Sequence, residues 1–230
     1  MQASTSLRLS IFSILALLLA LSVAPQAATA QSVDLGADIF NRYVWRGIDF
    51  GESASVQPYL EFSSGDFTVG TWASYAINDG GGANEHDLYV SYSAGPLSIG
   101  VTDYYFPAPG ADFFDFDSDG GAHVFEANLG YENEAFTLSA NVNFFNDDDN
   151  SIYIEGGVPL TIGETDVSLA IGVVPGESAW YGTDGFDVMQ ISLGAGKEIK
   201  ISDAFSLPVS VAYIVSPAQD RSYLVFGLSL

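Results

Sequence analysis

Twelve short stretches of this sequence alternate apolar residues with small or polar ones, and long and short gaps separate them in turn. Successive side chains leave a β-strand on opposite faces, so a strict period of two marks a strand. In the final stretch, Leu224, Phe226, Leu228 and Leu230 share one face. In the sixth, Phe125, Ala127, Leu129 and Tyr131 oppose Glu126, Asn128 and Gly130. The tenth sets Met189, Ile191, Leu193 and Ala195 against Gln190, Ser192 and Gly194. The first reads Val33, Leu35, Ala37 and Ile39, then on through Tyr43 and Trp45. Asp34, Asp38, Arg42 and Arg46 occupy its other face.

An even number of strands, one face continuously apolar, suits a sheet that closes on itself with no unpaired edge. The expected fold is all-β, a single closed antiparallel up-and-down transmembrane β-barrel of about 12 strands. Periodicity alone does not separate this from a soluble β-sandwich, which turns its apolar faces inward. Aromatic residues near segment ends, such as Tyr75, Tyr92, Tyr105, Tyr131 and Tyr213, fit the interfacial girdles of a barrel.

The first thirty residues read as a separate object. A weakly basic start up to Arg8 precedes an apolar run from Ile11 to Val23, then Ala27-Ala-Thr-Ala30. That is the pattern of a secretory signal peptide, so the expected division is 1–30 signal peptide and 31–230 barrel. The expected location is the bacterial outer membrane, after export. There is no cysteine, so stability must come from backbone pairing and packing.

The formal net charge of the chain is −23. Residues 1–30 hold one cation, Arg8, and no acid, leaving Arg42, Arg46, Lys197, Lys200 and Arg221 as the fixed cations beyond them. So acidic a chain lacks the basic clusters that phosphate contacts need, which excludes nucleic-acid binding. The same field attracts cations. Tight turns are expected at Ser63-Ser-Gly-Asp66, Ala94-Gly-Pro96 and Glu132-Asn-Glu-Ala135. The stretches Pro159–Thr165 and Lys197–Phe205 read as connections longer than ideal turns. Longer gaps such as Gly47–Ala54 and Phe106–Ala122 fall at the other end, where bacterial barrels carry their outer loops.

No nucleophile elbow, P-loop or dinucleotide glycine motif is present, and the chain is not expected to be an enzyme. His86 and His123 lie far apart in sequence without metal spacing. Asp115, Asp117 and Asp119 with Gly120 and Glu126 reproduce the spacing of a calcium loop. A Ca2+ site there competes with a plainly solvated acidic loop, and no other cofactor is expected. The charged residues assigned to the barrel interior are Asp34, Asp38, Arg42, Arg46, Glu61, Asp87, Glu126 and Glu155. Charges facing lipid near mid-membrane cost several kcal/mol, so they should point inward. There they either select permeants or fill a narrow bore with ion pairs.

The stretches Asn41-Arg-Tyr-Val-Trp-Arg-Gly-Ile-Asp-Phe50, Gln57-Pro58, Gly70-Thr-Trp-Ala-Ser74, Glu85-His-Asp-Leu-Tyr-Val-Ser-Tyr92, Asp103-Tyr-Tyr-Phe-Pro107 and Val225-Phe-Gly-Leu-Ser229 form a set. Together they resemble the Gcw_chp, or TorF-type, family of porin-like outer-membrane proteins. The chain departs from the pattern at Asn41-Arg42, where Ser-Asp is common, and in ending on Leu230 rather than Phe. The resemblance implies a porin-type barrel and brings no substrate or catalytic residue with it.

Three readings therefore stand. One is a porin-like barrel for passive diffusion of small solutes, favouring cations. Another is a non-conducting structural or adhesive barrel with acidic ion-binding loops. The third is a soluble periplasmic β-sandwich. In the first two, the partners are outer-membrane lipid and lipopolysaccharide, with small solutes or ions.

Overall fold

The computed structural model describes residues 31–78, 84–107, 110–118 and 120–230, so the expected signal peptide and Asp119 lie outside the described residues. Twelve strands form one closed antiparallel barrel. They are β1 (Gln31–Phe40), β4 (Ser55–Ser64), β5 (Phe67–Ala76), β6 (Glu85–Ala94), β7 (Leu97–Tyr105), β8 (His123–Glu132), β9 (Thr137–Phe145), β10 (Ile152–Ile162), β11 (Thr165–Val174), β14 (Asp187–Lys200), β15 (Ser206–Ser216) and β16 (Arg221–Ser229). Each pairs with its neighbours along the chain, and β16 closes onto β1. Two short hairpins stand apart from the wall: β2 (Val44–Trp45) with β3 (Ile48–Asp49), and β12 (Glu177–Ser178) with β13 (Thr183–Asp184).

Burial decides which way the sheet faces. Val33, Leu35, Ile99 and Leu224 are 69%, 73%, 59% and 58% exposed, whereas Ser74, Glu126 and Asn143 are at 1% or less. Apolar side chains form the outer surface and polar ones the interior, the reverse of a water-soluble fold. A single closed sheet with this inversion is not a β-sandwich.

The two-residue connections all lie at one end. The Gly65-Asp66, Gly95-Pro96 and Gly163-Glu164 turns join strands paired up to their last residues. Gly65, Gly95 and Gly163 take φ near +61°, +62° and +66°, the left-handed region that a two-residue hairpin favours at its first central position. The stretch read as a long connection at Pro159–Thr165 is thus mostly strand. Pro159 pairs with Ser168 of β11 but lies beyond the last β9 pair, Gly157 with Thr137. No ladder partner on that side needs its missing N–H. Likewise β14 runs through Lys197 to Lys200 before its turn.

Two sequence expectations fail for identifiable reasons. The first strand does not continue to Arg46 but stops at Phe40, after which the chain turns inward. Met189 does not share the outer face with Ile191. A bulge in the β11–β14 ladder pairs Gly172 with Gln190 and Val173 with Val188, and the extra residue, Met189, is fully buried.

Rings packed over glycines tie neighbouring strands together. A Cβ on Gly36, Gly70 or Gly172 would overlap the rings of Tyr59, Tyr89 or Tyr153. Each tyrosine thus lies flat over a gap that only glycine leaves.

The seam is the shortest ladder. β1 and β16 share only the pairs Asp38–Ser229, Ile39–Leu228 and Phe40–Gly227. Leu230 and Ala37 then exchange hydrogen bonds of 3.0 and 3.1 Å. Above them Asn41 extends the closure. Its amide nitrogen donates to Leu224 O at 3.0 Å, and its side-chain oxygen accepts from Phe226 N at 2.7 Å. Replacing Asn41 with Ala removes both hydrogen bonds, at roughly 0.5–1.5 kcal/mol each. N41A should lower the temperature at which the folded barrel loses its fast gel mobility, and an unchanged temperature would show that the seam does not depend on this side chain.

Candidate functional site

Both extra hairpins fold into the barrel at the end opposite the short turns. The first is shaped by Arg46 and Gly47, whose φ values of +50° and +79° make the tight reversal between β2 and β3. Gly47 lies so close to Met189 O and Ser216 Oγ that a Cβ has no room. Trp45 stacks on Tyr181 of the second hairpin at 5.9 Å between ring centroids. Buried Tyr153, Val174, Tyr181 and Met189 pack with Trp45, Ile48, Trp180 and Ala218. In a barrel whose apolar residues mostly face outward, this is an internal apolar core.

Arg46 locks this core to the wall. Its guanidinium grips Glu126 bidentately, at 2.5 and 2.9 Å, and reaches the Tyr181 hydroxyl at 2.5 Å. The charge also lies 4.3 Å from the Trp45 ring and 4.5 Å from that of Tyr153, close enough for cation–π attraction. Glu126 accepts further hydrogen bonds from Tyr104 at 2.9 Å and Asn128 at 2.7 Å. A carboxylate this buried is tolerated because donors surround it.

The expected interior charges divide into groups. Asp34 and Glu61 are register partners across β1 and β4. With Asp38 they stand near the tyrosines Tyr59 and Tyr89, and Tyr89 donates to Glu61 at 3.1 Å. Glu155 accepts from Tyr153 and Gln190, both at 2.6 Å. Asp87 is buried beside Glu85. Arg42 pairs with Asp49 within the first hairpin, so Arg42 and Arg46 do not share a strand face as the sequence pattern suggested.

Sequence reasoning passed over Glu85, Tyr104 and Tyr181. Glu85 was within reach, since it precedes Asp87 by two on the same alternating face. Tyr181 carries no periodic signal because it sits in a hairpin between barrel strands.

Among the described residues of the calcium-loop spacing, Glu126 is not brought to the aspartates. Glu126 is engaged inside the barrel by Arg46, Tyr104 and Asn128. Asp115 belongs to the loop that covers His123. Among the described residues, no group of three or more His, Cys, Asp or Glu is placed to hold a metal ion. The two histidines, distant in sequence, both pack against Tyr105, with ring centroids at 6.1 and 5.0 Å. His123 also bonds Asp103 at 2.8 Å and Phe113 O at 2.7 Å, and stacks on Phe116 at 4.0 Å. These contacts tie the long 106–122 loop to the wall.

Towards the short turns the interior widens. A cavity of about 1230 Å3 opens there, bordered by small residues including Ser98, Ser168, Gly194, Gly196, Ser210 and Ala212. The lumen thus has a roomy half and a packed half.

Residues 24–226 match the family model Gcw_chp, described as a bacterial protein of unknown function. The chain belongs to the Gcw_chp family. No curated protein matches it. Among solved structures, the COG4313 outer membrane channel from Pseudomonas putida F1 is similar at 11% identity and a TM-score of 0.35, over 90% of this chain and 98% of that one. In this Gcw_chp chain, the Asn41–Phe50 stretch that carries the family resemblance builds the seam and the inward hairpin. Its arginine-glycine pair is the tip that meets Glu126 and Met189.

Removing one partner of a buried ion pair strands the other, at about 3–5 kcal/mol. R46M should therefore destabilise the barrel towards urea, and R46M/E126Q should recover much of the loss. Tryptophan fluorescence during urea titration measures both, and a double variant as weak as R46M would deny the pairing this role.

Proposed function

We propose that this chain is an outer-membrane channel of porin type for small solutes, whose resting state is closed at its loop end by the two inward hairpins. One observation carries the reading: a cavity lined by small side chains occupies the turn half of the barrel, while in the loop half the two inward hairpins bring Trp45, Ile48, Trp180 and Tyr181 against the wall residues Tyr153, Val174 and Met189. The apolar outer surface supports a bilayer location, because only lipid covers such a belt without cost. The long connections then face the cell exterior, as in bacterial barrels.

Cations are the favoured permeants. Asp34, Asp38, Glu61 and Glu155 occupy interior-facing positions, while Arg46 is neutralised by Glu126. An excess of fixed negative charge along a narrow path concentrates cations and excludes anions.

Planar-bilayer recording tests this reading. The wild-type barrel should show rare, brief conductance steps. R46A/E126Q, which releases the hairpin without stranding a charge, should raise the open fraction by about tenfold, the effect of weakening the closed state by about 1.4 kcal/mol. Reversal potentials in a KCl gradient should report cation preference. A folded, heat-modifiable barrel that stays silent in both forms would favour the second reading, a non-conducting structural barrel. The fully buried Met189 and the nearly buried Tyr181 within the packed half are what that alternative has in its favour.

A further inference from the structure

Two carboxylates inside the barrel have no cation matched to them. Glu85 and Asp87 share the inner face of β6, are 3% and 7% exposed, and lie within hydrogen-bond reach of each other. Among the described residues, the fixed cations that form ion pairs go elsewhere: Arg46 to Glu126, Arg42 to Asp49, and the lysines to Glu164 and Asp203. Tyr43 donates to Glu85 at 3.0 Å. Asp87 Oδ1 has no hydrogen-bond partner, and neither has Ser74 Oγ. Ser74 is the register partner of Glu85 on β5 and is 1% exposed.

Paired carboxylates in a dry interior repel each other and have lost their hydration, so bare ionisation there is strongly unfavourable. A bound cation removes both penalties at once. The donors on offer are all oxygens. His86, the residue between the two acids, falls on the other face and packs against Tyr75 and Tyr105. Oxygen donors with two negative charges suit a hard divalent ion, whereas zinc and copper prefer nitrogen or sulfur.

We propose that Glu85, Asp87 and Ser74 bind a calcium-class or magnesium-class divalent cation, with Tyr43 as the positioning residue that fixes the Glu85 carboxylate. Water completes the coordination, as is usual where the protein supplies only two carboxylates. Tyr43 lies next to β2, so the ion ties β5 and β6 to the root of the inward hairpin. This site is distinct from the acidic loop around Asp115, and it does not require that the barrel conduct.

The test uses folded full-length barrel stripped with EDTA, then titrated separately with Ca2+ and Mg2+ while the thermal midpoint is followed. Wild type should show a saturable upward shift with at least one ion. E85Q/D87N keeps the shapes and removes the charges, so it should lose the shift and melt above wild type in EDTA. D115N should retain the shift. Mn2+ electron paramagnetic resonance on the wild type provides a second measurement that needs no variant, and should count one tightly held ion that Ca2+ or Mg2+ displaces. No saturable response in the wild type, or an undiminished one in E85Q/D87N, overturns the site. Stabilisation by acid alone, without any cation response, assigns the pair to a shared proton and overturns it equally.

Discussion

Backbone hydrogen bonding is the constraint on which everything else rests. Inside a bilayer no water is available to an orphaned N–H or C=O, so a sheet must close completely. Eleven of the twelve junctions here join strands that also neighbour each other along the chain. The twelfth must bring the two ends of the barrel together, and its regular ladder is only three pairs long. Asn41 lengthens it by presenting an amide where a further strand residue would present a peptide. A side-chain amide carries the same donor and acceptor as the backbone. The strand can therefore leave the wall at Phe40 while the wall stays sealed.

That early departure makes the interior what it is. The segment after Asn41 supplies Tyr43, Trp45, Arg46 and Ile48 to the inside of the barrel, where the second hairpin brings Trp180 and Tyr181. An interior this polar would hold water if it were empty. The hairpins replace that water with rings and with one well-satisfied ion pair, so the loop half packs like a protein core. The turn half receives no such filling and keeps its small side chains.

The sheet was largely legible in the sequence because a period of two records the wall directly, and the alternating gaps record the two ends. The inward hairpin was not. Ile39, Tyr43 and Trp45 fall on one parity and Asp38, Arg42 and Arg46 on the other, so the stretch reads as one strand despite Phe40, Asn41 and Val44, and nothing local announces that Asn41 pairs with Leu224 and Phe226, some 180 positions away. Arg46 was read as an interior charge from its parity on a continuous strand, yet it reaches Glu126 from a loop. The bulge at Met189 was hidden for a related reason. It inverts the inside–outside parity at a single position, and its partners lie on another strand. The calcium spacing shows the opposite failure: local order suggested a ligand set whose last member is held inside the barrel.

The tyrosines lying over glycines have a mechanical meaning. Sliding one strand by one residue would turn each ring to the other face, and by two would push it against a side chain instead of a gap, so Tyr59 on Gly36, Tyr89 on Gly70 and Tyr153 on Gly172 act as detents spaced around the circumference. Such a wall cannot dilate by shearing. Whatever freedom this molecule has must be that of a stopper in a rigid neck, and not that of an iris.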